Sequence, residues 1–345
     1  MLSLFSKKEY KLVINGQQEL ILEHKESILN GALRHDFKFP HSCKVGGCGT
    51  CKCRLISGKV KEFTDKSYLL SKKEIAEKYI LACQSMPKSN VVIEIPNWDK
   101  NNQEIAGNIS KIEAMTHDIS KVSVSLETHI HYKAGQYVSI QSSDTDIPAR
   151  CYSFAQSNTP GGNQLVSFFV RGVTGGRMSN WLIDPLNVNS KVTLSAAYGD
   201  FYLRDQSAPV LCVAGGSGLA PIIALIEEAI QNNSAIVDQP LTLLMGVRSQ
   251  RDIYYQDQIN SLGAQWRNEF RFIPVLSDEP VASNWPGHRG FVTNYIDRKI
   301  SLGATGYLCG PPPMIDAAMI KMQENGMDLN RIFFDKFLDQ SGIKP

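Results

Sequence analysis

Cysteines carry the first chemical signal. Cys43, Cys48 and Cys51 follow a C-x4-C-x2-C spacing, and Cys83 comes after a long gap. Four thiolates so arranged are the ligand set of a [2Fe–2S] cluster: three on one short loop and one from a distance. The residues between them, Gly46, Gly47, Gly49 and Thr50, are small enough for the loop to wrap closely. Such a loop turns backbone N–H groups toward the sulfurs, and those hydrogen bonds help set the reduction potential. A structural zinc site or a set of packed thiols does not call for the interleaved glycines. Cys53 shares the strand face of Cys51 without being required by the spacing, and reads as a packed thiol.

Two further groups of residues could hold organic cofactors. Arg150, Tyr152 and Ser153 form an R-x-Y-S string, followed downstream by Gly175-Gly176-Arg177-Met178-Ser179. These types suit a flavin. An aromatic ring can stack on the isoalloxazine, a hydroxyl can bond near its N5, and a cation with a glycine-rich helix start can hold a diphosphate. Next, Gly215-Gly216-Ser217-Gly218 joins a buried apolar run to a helical pattern, with Pro221 in its first turn. Such a turn lets a dinucleotide diphosphate approach the backbone. Cys309-Gly310-Pro311 ends another apolar run. Arg248 and Asp252 follow the run Leu241 to Val247; an arginine there favours a 2′-phosphate and an acid favours ribose hydroxyls.

The elements that must position these residues fall into three blocks, expected at 1–98, 103–205 and 206–345, within 345 residues. The first opens with a predicted hairpin around Asn15-Gly16, places a helix after Ser27, and ends in a strand stopped by Pro96. A polar linker is expected from Asp99 to Glu104. The second block is a succession of short strands, KVSVSLE, GQYVSIQ, RCYSFAQ, QLVSFFVRGV and KVTLSAAYG, which predicts an antiparallel barrel or sandwich. The third alternates apolar strands with helical patterns, the mark of a parallel α/β sheet.

Bulk properties exclude several classes. The hydrophobic fraction is 43% and the charged fraction 20%, so the chain has apolar material for several cores. Residues 1–98 carry 16 Lys+Arg against 10 Asp+Glu, a net of +6, and the remainder carries 20 against 24, a net of −4. A basic first block suits an acidic docking partner, or is simply a solvated face. Nucleic acid is a poor candidate, because Lys72, Lys73 and Lys78 lie among aliphatics rather than aromatics. No signal peptide and no transmembrane run is expected, which predicts a cytoplasmic location with reduced thiols.

Taken together, CKVGGCGTCKC with LACQ, RCYS, GGRMS, AGGSGLAP, GVRSQRDIYY, CGPPPM and FFDKFLD resemble the reductase components of multicomponent bacterial oxygenases. In these a plant-type ferredoxin domain is fused to a ferredoxin-NADP reductase-like module. The resemblance runs from about Glu9 to Phe337. It implies a multidomain α+β and α/β fold: a β-grasp [2Fe–2S] domain, an antiparallel β-barrel for FAD and a parallel α/β domain for NADH. Tyr152 and Ser153 would face the flavin ring. Arg150, Gly175, Gly176, Met178 and Ser179 would hold its phosphates, and Cys309 would lie near the nicotinamide C4. Phe337 would be an aromatic beside the flavin or, equally, core on a final strand.

Ala196-Ala197-Tyr198-Gly199 departs from the Gly-Pro that many relatives carry, which leaves any flavin contact of Tyr198 open. The implied activity is two-to-one electron conversion, from NADH through FAD and the cluster to a terminal oxygenase docking near the ferredoxin domain. A Rieske aromatic-ring dioxygenase is favoured as acceptor over a soluble di-iron monooxygenase. Other rivals are a membrane quinone reductase subunit and a non-enzymatic redox sensor. Neither fits well: the first needs a membrane anchor, and the second needs no nicotinamide pocket.

Overall fold

Asn15 and Gly16 both take left-handed backbone, φ 52° and 67°, the geometry of a tight hairpin turn whose twist matches its flanking strands. They join β1 (Tyr10–Ile14) to β2 (Gln18–Leu22). Each strand buries alternate residues, Leu12 and Ile14 on one and Leu20 and Leu22 on the other. Ser27 caps α1 (Ile28–Arg34), its hydroxyl accepting from the Asn30 N–H at 3.2 Å. This computed structural model describes residues 9–41, 44, 46, 49–66, 69–70, 72–96, 104–204 and 207–337.

The chain divides into two compact units, Met1–Gln103 and Glu104–Pro345. The first unit continues through β3 (Lys52–Ser57), β4 (Val60–Glu62), α2 (Lys72–Ala76), β5 (Tyr79–Leu81), β6 (Ser85–Pro87) and β7 (Val91–Glu94). Its main sheet has the order β2-β1-β7-β3-β5, with β4 and β6 paired separately. Strand β1 is antiparallel to β2 but parallel to β7, and Ile28, Leu29 and Ala32 of α1 join the core beneath the sheet. This is the β-grasp arrangement. The expected linker lies outside the described residues except for Glu104, which begins a strand instead.

The second unit starts with β8 (Glu104–Ala114), β9 (Ile119–Ile130), β10 (Tyr137–Ser142), β11 (Arg150–Ser153) and β12 (Asn163–Arg171). Helix α3 (Arg177–Ile183) and β13 (Lys191–Ser195) complete this part. The strands run β11-β10-β13-β8-β9-β12, all antiparallel. A bridge between Phe154 and Phe168 brings the two ends of the sheet together, so the sheet rolls into a barrel. Tyr132 stacks on Phe154 inside it, with ring centroids 3.6 Å apart.

A parallel sheet follows: β14 (Val210–Gly215), β15 (Leu241–Val247), β16 (Phe270–Leu276), β17 (His288–Arg289), β18 (Thr305–Gly310) and β19 (Ile332–Lys336). Their order is β17-β16-β15-β14-β18-β19. Every residue of β14 and β18 is buried, as the central strands of a doubly covered sheet must be. Helices α4 (Leu219–Gln231), α5 (Gln256–Gln265), α6 (Arg298–Ser301) and α7 (Pro312–Glu324) connect the strands. Because the order reverses between β15-β14 and β18, the carboxyl ends of β14 and β18 border a crevice.

Barrel and sheet share one core, in which Ile119, Ala134 and Phe169 of the barrel side pack with Leu219, Ile223 and Tyr254. Polar ties cross the same seam. Glu228 accepts from the Ala134 N–H at 3.0 Å, and Glu227 accepts from the Ser157 N–H at 2.9 Å.

Candidate redox sites

In the first unit, Cys51 sits just before β3 and Cys83 just after β5, two adjacent antiparallel strands. Both are buried in the unit's core. The Cys83 N–H points at the Cys51 sulfur, 3.5 Å away, and the Gln84 amide nitrogen lies 3.8 Å from the Cys83 sulfur. Donors aimed at sulfur are what a thiolate-bound cluster requires. Gly46 and Gly49 have φ of +77° and +71°, and a Cβ on Gly46 would stand 2.5 Å from Cγ of Gln84. Only glycine allows the loop to rest there. The residues present therefore fit the cluster. Cys43 and Cys48, the other two expected ligands, lie outside the described residues. Cys53 is fully buried, and burial, then the charge of Cys83, pushes its thiol well up, so it packs as a neutral group.

In the second unit, β11 carries Arg150, Tyr152 and Ser153 along the edge of the barrel. Tyr152 packs against the barrel core, and burial raises its hydroxyl above the ordinary tyrosine range. Tyr198 bridges to Tyr137 on β10, and burial pushes it up to about 12. Gly176 caps α3 with no side chain of its own, and Gly175 before it has φ +73° and open space around it. Met178 is buried in the barrel core, and the Ser179 hydroxyl accepts from the Val173 N–H at 3.4 Å. An open glycine turn leading into a helix start fits a phosphate-bearing flavin.

The nucleotide elements converge at the ends of β14 and β18. A Cβ on Gly215 would stand 2.7 Å from the Met314 sulfur, and one on Gly218 would stand 2.3 Å from the Cys309 carbonyl oxygen. The two turns therefore touch backbone to backbone. Pro221 lies in the first turn of α4, and Ser217 sits in the short turn before it. Gly215 and Gly216 line a cavity of about 210 Å³ together with Arg248, Asp252 and Pro311. Concave space walled by glycine turns and cations fits a dinucleotide.

Cys309 is in register with Asp335 on the parallel neighbour β19, and Phe337 donates its N–H to the Gly310 carbonyl at 2.9 Å. Ser153 from the barrel donates to Asp335 at 3.4 Å. Burial, opposed by the Ser153 hydrogen bond, pushes the Asp335 carboxyl up to about 6. Burial, and then the Asp335 charge, keeps Cys309 a neutral thiol rather than a nucleophilic thiolate. Phe333 stacks on Tyr307 at 5.5 Å, so that aromatic belongs to the core.

Sequence reasoning missed Asp335, Asp118 and Arg171. The acid lies within the quoted FFDKFLD string, but nothing local marks it as facing Ser153. Asp118 sits in an ordinary turn between β8 and β9, with no signal in its neighbourhood. Arg171 ends β12 shortly before the glycine turn, which is the only hint available.

Comparison with known proteins agrees with this architecture. The 2Fe-2S iron-sulfur cluster binding domain family matches residues 12–88, the oxidoreductase FAD-binding domain family 106–202, and the oxidoreductase NAD-binding domain family 212–319. The xylene/toluene monooxygenase electron transfer component of Pseudomonas putida is 39% identical, over 91% of this chain and 89% of that one. The toluate 1,2-dioxygenase electron transfer component of Pseudomonas putida is 32% identical, over 90% and 92%. Among solved structures, the ferredoxin reductase in carbazole 1,9a-dioxygenase superposes with a TM-score of 0.68 at 27% identity, covering 97% of this chain and all of that one. Among the described residues no helix is long and apolar enough to cross a membrane. With two cofactor-binding folds and a cluster-binding fold in one chain, and with relatives of this closeness over nearly its whole length, the chain belongs to the family of flavin- and iron–sulfur-dependent, NAD(P)H-oxidising reductase components of multicomponent oxygenases.

Proposed function

We propose that this reductase uses NADH, acts in the cytoplasm, and passes electrons from its ferredoxin domain to the terminal oxygenase of an aromatic-hydrocarbon system. The observation that carries the reading is the meeting of Cys309, Asp335 and Ser153, one residue from each of three strands, with the turn that follows Cys309 reaching the glycine-walled cavity through Pro311. Bound nicotinamide, FAD and cluster supply the electron chemistry, pairs in and single electrons out.

The chain's own residues orient and insulate. Cys309, held neutral and fully buried, lies behind the Gly310–Pro311 turn, whose Pro311 lines the cavity, and keeps charge out of the wall against which a nicotinamide would lie. Ser153 holds a hydroxyl at the end of the flavin strand, fixed by Asp335. Tyr152 gives the isoalloxazine an aromatic wall, and Arg150 with the Gly175–Ser179 turn gives its phosphates a cation and N–H donors.

NADH is favoured over NADPH by acidity around Arg248, which lines the cavity. Arg248 is flanked by Asp252, and its carbonyl accepts from the Asp278 N–H at 2.8 Å. Glu279 bonds Gln250 close by. These carboxylates offset the extra positive charge that a 2′-phosphate would require there. For the acceptor, the higher identity to the xylene/toluene monooxygenase component than to the toluate dioxygenase component, 39% against 32%, favours a monooxygenase, with the ring dioxygenase as second reading.

An anaerobic titration followed by visible absorption tests the proposal. NADH should bleach both the flavin and the iron–sulfur bands, with uptake of about three reducing equivalents per chain. NADPH should do so only at much higher concentration. A protein inert to both nucleotides, or lacking one of the two chromophores, overturns it.

A further inference from the structure

Two arginines reach the nucleotide cavity from different parts of the second unit. Arg171 ends the barrel strand β12 and Arg248 follows β15 of the parallel sheet. Both are drawn to one carboxylate. Asp118 accepts from Nε of Arg171 at 2.9 Å and from Nη2 of Arg248 at 2.9 Å. The same Nη2 also reaches Asp252 at 3.0 Å.

The acids are themselves fixed. Thr116 donates its hydroxyl to Asp118 at 3.1 Å, and Ser249 donates both its N–H and its hydroxyl to Asp252, at 2.9 and 2.8 Å. Burial alone would raise the Asp118 carboxyl, but Arg171, Thr116 and Arg248 outweigh it and hold it below the usual range. His117, Asp118 and Asp252 offer ligand atoms close enough together for a metal ion, yet the Arg248 guanidinium already bonds to all three.

Each guanidinium is thus pinned through a single nitrogen. Among the described residues, the two terminal nitrogens of Arg171 and the Nε and Nη1 of Arg248 have no hydrogen-bond partner. Nη1 of Arg171 stands 3.4 Å from the place a Cβ on Gly216 would take, directly over the left-handed glycine turn. We propose that Asp118 is a positioning residue that holds Arg171 and Arg248 as a paired clamp for the diphosphate of the incoming nicotinamide dinucleotide, with the Gly215–Gly216 turn as its floor. This deepens the NADH reading above and rests on it.

The physical case is preorganisation. A guanidinium carries five donors in a rigid fork suited to phosphate oxygens, but a long free side chain loses rotamer freedom when it binds. Asp118 has already ordered both side chains while leaving their remaining donors open. One arm comes from the barrel and one from the sheet, so an occupied clamp binds a single ligand to both.

The probe is ADP-ribose, which carries the diphosphate but has no nicotinamide to reduce the flavin. It is titrated calorimetrically into oxidised protein loaded with FAD and cluster. Arg171→Gln and Asp118→Asn should each weaken it by about tenfold or more, the loss of one or two charge-assisted hydrogen bonds. Asp118→Asn should add nothing in an Arg171→Gln, Arg248→Gln background, since it acts only through those arginines. Asp118→Glu should recover part of the affinity. In turnover, the loss in Asp118→Asn should fall on KM for NADH rather than on kcat.

Wild-type affinity in Asp118→Asn, or the same loss when both arginines are already gone, overturns the clamp. Arg171→Gln replaces a partly exposed side chain on a strand end, so it tests the clamp even if Asp118→Asn folds poorly. If NADH fails to bleach the wild type while ADP-ribose binds and weakens in the arginine variants, the clamp stands and the NADH reading falls.

Discussion

Asp335 is the carboxyl bonded to Ser153 and in register with Cys309, the two residues proposed above to flank electron entry. Its carboxyl is pushed up to about 6, with burial as the leading cause and the Ser153 hydroxyl pulling the other way. Because the folded pKa lies above the ordinary value of 3.8, the group costs folding stability where it is ionised. That cost is absent below 3.8, grows as pH rises toward about 6, and is complete above it. Asp335→Asn should therefore gain stability relative to wild type across this window and level off beyond it, which denaturant unfolding at a series of pH values would measure. Asp118 and Asp252 are held below their ordinary values and act in the opposite sense, giving stability that is lost as pH falls through their folded pKa values. The kinetic counterpart is an inflection near pH 6 in the rate of flavin reduction, present in wild type and gone in Asp335→Asn. Ser153→Ala, which removes the hydrogen bond that favours the ionised form, should move that inflection upward.

At the scale of elements, the two units respond to different substitutions. Ser27→Ala removes the N-cap of α1, a loss of about 1 kcal/mol, which should lower the transition of the first unit by about 4–8 °C. Gly218→Ala places a methyl 2.3 Å from the Cys309 carbonyl and should cost the second unit about 1–3 kcal/mol while loosening the nucleotide turn. Calorimetry that resolves the two transitions would show each variant moving one of them; a shift of the other would contradict the division. These elements differ in how well the sequence announced them. Asn15-Gly16, the Ser27 cap and the glycine turns are local chemistry, readable wherever a few adjacent residues force one geometry. Strand β8 carries no such local signal: Gly107, Asn108 and Ser110 dilute its alternation, and it is held by pairing with β9 on one side and β13 on the other. The same division runs through the site. The cysteine loop and the glycine turns are contiguous and legible. The Ser153–Asp335 contact spans 182 residues and the Asp118–Arg248 contact 130, distances over which no local pattern carries information.

At the scale of the whole molecule, the division at Glu104 separates the flavin and nucleotide chemistry from the cluster. A fragment beginning at Glu104 keeps the barrel, the parallel sheet and the core they share. It should fold, retain FAD and bleach with NADH, taking up about two reducing equivalents instead of three. It should be unable to supply the oxygenase, because the single-electron outlet is gone. The charge distribution follows the same boundary. Residues 1–98 have 16 basic and 10 acidic side chains, a net of +6, and the rest of the chain has a net of −4. If electrons leave through the first unit, its positive surplus must meet the acceptor, and complementary fields speed encounter more than they tighten the complex. At physiological ionic strength the screening length is about 8 Å, so added salt should slow association steeply while leaving events inside the chain alone. Reduction of flavin by NADH should therefore stay nearly constant as salt rises, while the rate of electron delivery to the purified oxygenase should fall, by about tenfold or more across the accessible range. Delivery that is flat with salt would mean that the basic face is solvated surface only, and that the acceptor docks through apolar contacts instead.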